Sequence, residues 1–375
     1  MFERIRYMLI KEFIQVFRDP RMKAVVFVMP IVQVLVFGYA VTTDVKHVRL
    51  AVIDFDASVA SRELTARFIE TPYFDLAGHV DTDAGAARLL DHGQAQAVLR
   101  IHHGFEADLR AGRTAPLQLV VDGTDSNTAG IVLDYAARIA GRFGTHVLAS
   151  RLSRMGGGVS EEPLTLETRA WFNENLESRN YYVPGEIAIL VMLITLMLTS
   201  MAVVREKEAG TMEQIMVTPI TPGEFILGKT LPFAAIAFAD VVAITLVAVF
   251  WFQVPLEGSL LLLFGATGLY IMTTLGIGLL ISTMSSTQQQ AMMGTFFFYL
   301  PAVLLSGFMF PIANMPEAIQ WLTCVNPLRY FLIIIRGIFL KGVGPAVLWP
   351  QMAALFGMGV GTLWFATTRF KKTLA

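Results

Sequence analysis

The run Gly223-Glu224-Phe225-Ile226-Leu227-Gly228-Lys229-Thr230 matches the G-x-x-x-x-G-K-T spacing of a phosphate-binding loop. In such a loop, backbone amides cradle the phosphates, the lysine reaches toward them, and the last hydroxyl holds magnesium. That chemistry needs a buried strand before the loop and a helix of an α/β domain after it. Here Thr218-Pro219-Ile220-Thr221-Pro222 comes first, and two prolines exclude a central strand. The residues between the glycines are bulky, and an apolar stretch follows at once. Lys229 therefore reads as an anchor at a membrane interface and Gly228 as a close-packing point, with no nucleotide bound by this chain.

Other reactive residue types are scattered. His102 and His103 are adjacent, and neighbours on a strand face opposite sides, so one metal ion cannot take both. Asp122, Asp125 and Asp134 lack the spacing of a calcium loop. Ser58, Ser61 and Ser126 have no nucleophile-elbow context. The single cysteine, Cys324, excludes an internal disulfide framework and a cysteine metal cluster. No catalytic centre and no metal site are expected.

The most informative polar residues interrupt apolar stretches. Asp240 sits midway along one of them, where a charge costs about 2.5–3.5 kcal/mol unless it faces protein or water. A protonated structural role, a path for cationic drugs and a proton relay all fit it. Glu186 follows Pro184-Gly185 at the end of another, as a gate or interfacial contact. Gln33 suits an interhelical hydrogen bond. Phe297, Phe298 and Met309 belong to an aromatic and methionine-rich stretch that suits an adaptable cavity wall. Lipid-facing packing explains them equally well.

These residues must be positioned by membrane helices. Of the 375 residues, 54% are hydrophobic and only 16% charged, and mean hydropathy is +0.57. A soluble domain carries about 25% charged residues. Net charge is −1, which gives no basic excess for nucleic acid. Six spans are expected, at 24–43, 185–204, 230–252, 259–282, 292–312 and 346–366. The first reads as a retained anchor rather than a cleaved signal. Residues 313–345 read as outer re-entrant or interfacial helices, since Phe331–Leu340 is too short to cross and contains Arg336.

Charge sets the orientation. Arg4, Arg6, Lys11, Arg18, Arg21 and Lys23 precede the first span; Arg205, Lys207 and Lys229 follow the second; Arg369, Lys371 and Lys372 lie in the tail, 367–375. Six spans put all of these in the cytoplasm, with both termini. Residues 44–182 then lie outside, with 14 Lys or Arg, 19 Asp or Glu and all six histidines. Strand-like Leu50–Phe55, Ala95–Ile101 and Leu117–Val121 alternate there with helix-like Ser61–Glu70, Asp83–His92, Phe105–Ala111 and Thr128–Leu152. The expected fold is therefore membrane α-helical, with an α/β or α+β periplasmic domain inserted between the first two spans. Ahead of the spans, residues 1–20 form an amphipathic interfacial helix. Ile5, Met8, Leu9, Phe13, Val16 and Phe17 make its apolar stripe, and Arg4, Arg6, Lys11, Glu12 and Gln15 take the other faces.

Two stretches carry a family resemblance. Arg205-Glu206-Lys207-Glu208-Ala209-Gly210-Thr211-Met212-Glu213-Gln214, then Thr218-Pro219, lies in the cytoplasmic loop 205–229. Asn326-Pro327-Leu328-Arg329-Tyr330-Phe331 leads to Arg336-Gly337 before the last span. With Asp122–Asn127 and Tyr181–Gly185, they make the whole chain resemble permease subunits of type-2 ATP-binding-cassette exporters, in the bacterial inner-membrane subgroup with a large periplasmic domain. The resemblance implies a permease that is not itself an enzyme and pairs with a second, identical or paralogous permease. ATP and magnesium would be used by partner ATPase subunits. Drugs or other amphiphiles would be exported, with a periplasmic adaptor and outer-membrane channel in some members. ATPase coupling would fall to Arg205, Glu206, Glu208, Gly210, Thr211, Glu213, Gln214 and Pro219. The translocation path would hold Asp240, Glu186, Phe297, Phe298 and Met309. Asn326, Pro327, Arg329, Tyr330, Arg336 and Gly337 would form an outer gate. Lipid or polysaccharide export by the same architecture, a proton-coupled drug transporter and a membrane-anchored sensor remain as other readings.

Overall fold

The computed structural model describes residues 2–18, 20–40, 45–154, 171–173, 177–211 and 221–369. The chain divides into two units, Met1–Thr42 with Arg169–Ala375, and Thr43–Thr168.

The Thr43–Thr168 unit is built on a four-stranded sheet of β1 (Val48–Asp54), β2 (Phe74–His79), β3 (Ala97–Ile101) and β4 (Leu117–Val121), in the order β2-β1-β3-β4. β1 pairs in parallel with β2 and β3, and β4 closes antiparallel on β3. Leu50–Ile53 of β1 is buried on both faces of the sheet, which explains its unbroken apolar run. Leu50 and Val52 pack with Leu64, Phe68, Val132 and Phe143 from helices Val59–Ile69 and Ser126–Arg154. Ala51 and Ile53 pack with Ala86 on the other face. The mixed α/β arrangement expected from the sequence is present, with β2 in addition. β2 reads Phe-Asp-Leu-Ala-Gly-His, lies at the sheet edge and leaves most of its residues exposed, so it has no alternating signature.

Turn chemistry ties the strand ends to the helices. Ser58 and Ser61 form a reciprocal cap at the start of Val59–Ile69, and the Ser61 hydroxyl donates to Asp54 Oδ2 at 2.6 Å. Asp56 accepts from the Gly104 amide at 2.7 Å and the Glu106 amide at 3.0 Å, fixing the Phe105–Ala111 helix. Asp122 and Asp125 make successive side-chain turns, accepting from the hydroxyls of Thr124 and Thr128. The Asp122–Asn127 run is thus a helix-starting device.

Among the described residues of the other unit, four helices are long and apolar enough to cross a membrane: Ser178–Glu208, Gly223–Trp251, Leu260–Met284 and Pro345–Arg369. A fifth crossing results if Glu317–Thr323 and Pro327–Lys341, bent by 77°, are taken together. The sequence suggested six. Of residues 24–43, the described part, 24–40, falls in a helical run from Pro20 to Ala40 that passes through a π-helical stretch, Ala24–Val28. The wider turn relieves the clash that Pro30 makes with the preceding turn. Residues 292–312 hold most of the Gln288–Leu304 helix, which starts four residues earlier and stops ahead of Gly307 at φ +84°.

Ser178–Glu208 is the central helix: 83% of its most apolar window is buried, against 17% for Pro345–Arg369. Small and hydroxylated residues let its neighbours approach. Thr195 donates to Thr274 at 2.8 Å, and Thr295 donates to Ser200 at 2.8 Å. A methyl group at Gly278 would sit 2.8 Å from the Thr199 side chain. Tyr270 donates to the Ala188 carbonyl at 3.1 Å and stacks on Phe331 at 4.2 Å.

The Asp56 carboxyl is held below the usual aspartate range by the Ser58 hydroxyl first, and then by the amides of Glu106, Gly104 and Phe105. A lowered folded-state value means that the tether contributes fully above about pH 4, the unfolded aspartate value, and is lost as pH falls below it. Hydrogen exchange on the whole protein, corrected for intrinsic rates, should show the Gly104 and Glu106 amides losing protection only in that acid range. Asp56→Ala should speed both amides about tenfold at neutral pH, the scale of one lost charged hydrogen bond.

Candidate functional site

The N-terminal helix Phe2–Arg18 lies against the start of helix Pro222–Leu246. Gly228 permits the approach, since a methyl group there would come within 3.0 Å of Met8. One turn after Met8, Glu12 is only 2% exposed. It meets Lys229, 1% exposed, at 2.6 Å. Lys229 also contacts Glu206 at 2.6 Å, and Lys11 reaches the same carboxylate at 2.8 Å. The Thr211 hydroxyl donates to the other Glu206 oxygen. Two lysines and two glutamates thus close a network that joins the N-terminal helix, the end of Ser178–Glu208 and the start of Pro222–Leu246.

Each partner is placed by its helix. Thr221 and Glu224 form a reciprocal cap, with Pro222 in the first turn, so the phosphate-loop look-alike is helical from its beginning. Lys229 therefore projects from a helix flank. Gly210, at φ +68°, ends Ser178–Glu208 and returns Thr211 to Glu206. A buried ion pair is costly unless every charge is matched. Here Lys229 has two carboxylates and Glu206 has two lysines and a hydroxyl.

A second set of bonds holds the same helix end from another side. Glu208 accepts from the Gln288 amide at 2.8 Å and from its side chain, capping the Gln288–Leu304 helix. Lys207 donates to the carbonyls of Thr283 and Ser285, and Ser282 accepts from the Val203 amide at 3.1 Å. Glu206 and Glu208, two residues apart, thus point to different neighbours.

Several sequence expectations change. Glu12 is not on a polar face: Met8, Glu12 and Val16 form one stripe at spacing four, and Glu12 and Val16 are buried. Phe17, expected in the apolar stripe, is 49% exposed. Lys229 is a buried pairing centre rather than an interfacial anchor. Glu206, expected to pair with basic residues of a moving partner, is enclosed by lysines of its own chain. Arg205 is half-buried beside it. Glu213, Gln214 and Pro219 lie outside the described residues.

Among the other expected positions, Asp240 is 2% exposed and its Oδ2 has no partner among the described residues. Glu186, 1% exposed, accepts from Gln33 Nε2 at 2.8 Å. Phe297 and Phe298 line a groove of about 320 Å³ with Pro301, Leu322 and Asn326, so expected path and gate residues do meet there. Met309 is exposed and lies outside that lining. Pro327 opens the helix that Asn326 caps, and Asn326 also donates to the Ala302 carbonyl at 2.7 Å. Arg329 donates to Thr323 at 2.5 Å, and Tyr330 to the Cys324 carbonyl at 2.9 Å. Arg336 stacks over Tyr181 at 3.6 Å and donates to the Gly307 carbonyl at 3.4 Å. Gly337 faces Val343 and Leu348.

A family model described as ABC-2 family transporter protein matches residues 23–368. The chain belongs to the ABC-2 transporter family. Its relatives include two proteins of Escherichia coli K12. "Probable multidrug ABC transporter permease YbhR" is 33% identical over 352 residues, 94% of this chain and 94% of that protein. "Probable multidrug ABC transporter permease YbhS" is 33% identical over 371 residues, 98% and 97% of the two chains. "Inner membrane transport permease YhhJ", from the same organism, is 29% identical over 332 residues, 87% and 85%. As an ABC-2 member the chain is the membrane permease subunit of an ABC exporter, and ATP hydrolysis resides in a separate subunit.

Removing Lys229 should leave two carboxylates buried side by side. Lys229→Met is expected to destabilise the protein by about 3–5 kcal/mol. Replacing Glu12 and Glu206 with glutamine in the same chain should recover most of that loss, in thermal unfolding of the purified permease.

Proposed function

We propose that the chain works as one half of a dimeric permease, moving drugs or other amphiphiles from the cytoplasm or inner leaflet to the outside. The observation that carries this reading is the buried Glu12–Lys229–Glu206 network beside the 205–229 loop. It fastens the N-terminal helix to two membrane helices, and one of these is the central helix of the bundle. Closure of partner ATPase subunits against the N-terminal helix and this loop would therefore shift the central helix directly. Glu208 would carry the shift to Gln288–Leu304 and its exposed Phe297.

In this reading six segments cross a bacterial inner membrane. The run Pro20–Ala40 is long enough, since its 21 residues rise about 31 Å. The Gln288–Leu304 helix rises about 25 Å and is extended by the turns through Phe310. The Lys and Arg residues of the N-terminal helix, the 205–229 loop and the C-terminal tail favour a cytoplasmic side for all three. The Thr43–Thr168 unit is then periplasmic and available to an adaptor. Asp240, Glu186, Phe297, Phe298 and Met309 are assigned to the path, and Asn326 with Pro327, Arg329, Tyr330, Arg336 and Gly337 of the Pro327–Lys341 helix to the outer gate. The names of the two Escherichia coli multidrug permeases support a multidrug cargo.

Substrate-stimulated ATP hydrolysis by the permease purified with a co-expressed ATPase tests the coupling. Glu208→Ala should lower stimulation about tenfold while the complex still co-purifies, the scale of a 1–3 kcal/mol coupling energy. Equal stimulation in the variant and the parent would remove Glu208 from the route. Failure of any ATPase to co-purify with the parent chain would overturn the reading.

A further inference from the structure

A cleft of about 410 Å³ opens on the Thr43–Thr168 unit, between the end of helix Val59–Ile69 and the long helix Ser126–Arg154. Ile139, Arg142, Phe143 and His146 line it at steps of three, one and three, so they share one face of the long helix. Arg67, Glu70 and Thr71 come from the other helix end. The Thr71 hydroxyl is spent on the Phe68 carbonyl at 2.7 Å, which leaves the charged side chains to meet a ligand. The floor is apolar, because Phe143 and Ile139 belong to the core around Leu64 and Phe68. The rim is charged, with Arg67, Glu70, Arg142 and His146 all exposed. Arg67 is held by Glu63 at 3.5 Å, with both side chains about half exposed, which makes a weak pair. Arg138 pairs with Asp134 at 3.0 Å, but Arg142, one turn on, has no ion-pair partner among the described residues. Residues 44–182 carry 19 Asp or Glu against 14 Lys or Arg. Two arginines over an apolar floor are therefore a local feature and not a product of net charge.

Size, floor and charge agree on one occupant. A cavity of this volume is of small-molecule size. The floor suits an apolar body, and the arginines suit an anionic end. A carboxylate can take two N–H bonds from a single guanidinium. Glu70 stands on the same rim and would repel a run of carboxylates, which disfavours an acidic protein segment. We propose that this cleft binds small organic monocarboxylates with an aromatic or branched apolar body. The carboxylate meets Arg67 and Arg142, and the body rests on Ile139 and Phe143. The His146 ring offers a further nitrogen for hydrogen bonding at the rim. Every residue of the site belongs to the Thr43–Thr168 unit, so the proposal goes beyond the permease reading and does not depend on it.

Photolabelling of the full chain in lipid nanodiscs tests this. The probe is 4-benzoylbenzoate, a photoreactive aromatic carboxylate, compared with the neutral 4-benzoylbenzyl alcohol. In the parent protein the carboxylate should label peptides carrying Arg67–Thr71 or Ile139–His146. Unlabelled 4-phenylbutyrate should compete, and 4-phenylbutanol should not. Arg142→Gln should raise the half-saturating probe concentration about threefold, and the double change with Arg67→Gln about tenfold, the scale of exposed charge pairs. Arg138→Gln changes an exposed arginine of the same helix that lies outside the cleft, and it should leave labelling as in the parent. All three side chains are exposed, so these variants keep the fold. No labelling of these peptides, equal labelling by acid and alcohol, or undiminished labelling of the double variant would overturn the proposal. Competition by hexaglutamate with none by 4-phenylbutyrate would also overturn it, in favour of an acidic protein segment.

Discussion

Burying the ammonium of Lys229 is the physical problem around which one end of this permease's helix bundle is arranged. A lone charge in that position would be untenable, and its neutralisation requires carboxylates from two other segments. Glu12 comes from the N-terminal helix and Glu206 from the end of the central helix, both at 2.6 Å. Neither segment can move away alone without stranding a charge. The N-terminal helix and two membrane helices thereby become one mechanical element, although they are far apart in sequence. Such a joint suits a chain that performs no hydrolysis and must receive movement from a partner.

The rest of the membrane unit follows from the centrality of Ser178–Glu208. Its C-terminal end is fixed by Glu206 on one side and by Lys207 and Glu208 on the other. Its middle is held by hydroxyl contacts at Thr195 and Ser200, which are short enough to allow close helix packing. Its beginning carries Tyr181 under the Arg336 guanidinium and Glu186 beside Gln33. This one helix therefore contacts both the Gln288–Leu304 helix, which carries Phe297, and the Pro327–Lys341 helix, which Asn326 caps. The Thr43–Thr168 unit is built on different physics, with a doubly covered parallel strand at its centre and Asp and Ser side chains fixing its turns.

Much of this was legible in the sequence, because long apolar runs and sparse charges leave few alternatives to membrane helices. Most strands and helices of the Thr43–Thr168 unit were readable from alternation and turn residues. β2 was not, because an exposed edge strand with glycine and aspartate carries no periodic signal. Helix lengths also escaped: Gly307 stops the Gln288–Leu304 helix within an apolar stretch that continues past it. The central network was missed for a different reason. Lys229 and Glu12 were each assigned to a polar surface, since charge alone says nothing about a partner 217 positions away. The available signal was the placement of Glu12 between Met8 and Val16 on a buried stripe, and of Lys229 between Ile226 and Phe233 on an apolar helix.

The central claim is that the N-terminal helix and the 205–211 elbow move as one body. Pulsed electron-spin distance measurements on the permease–ATPase complex test it most directly, using labels at the exposed positions Ile14, Ala209 and Trp321. On nucleotide binding, the account predicts an unchanged Ile14–Ala209 distance and a changed Ile14–Trp321 distance. A shift in Ile14–Ala209 with Ile14–Trp321 constant would contradict it.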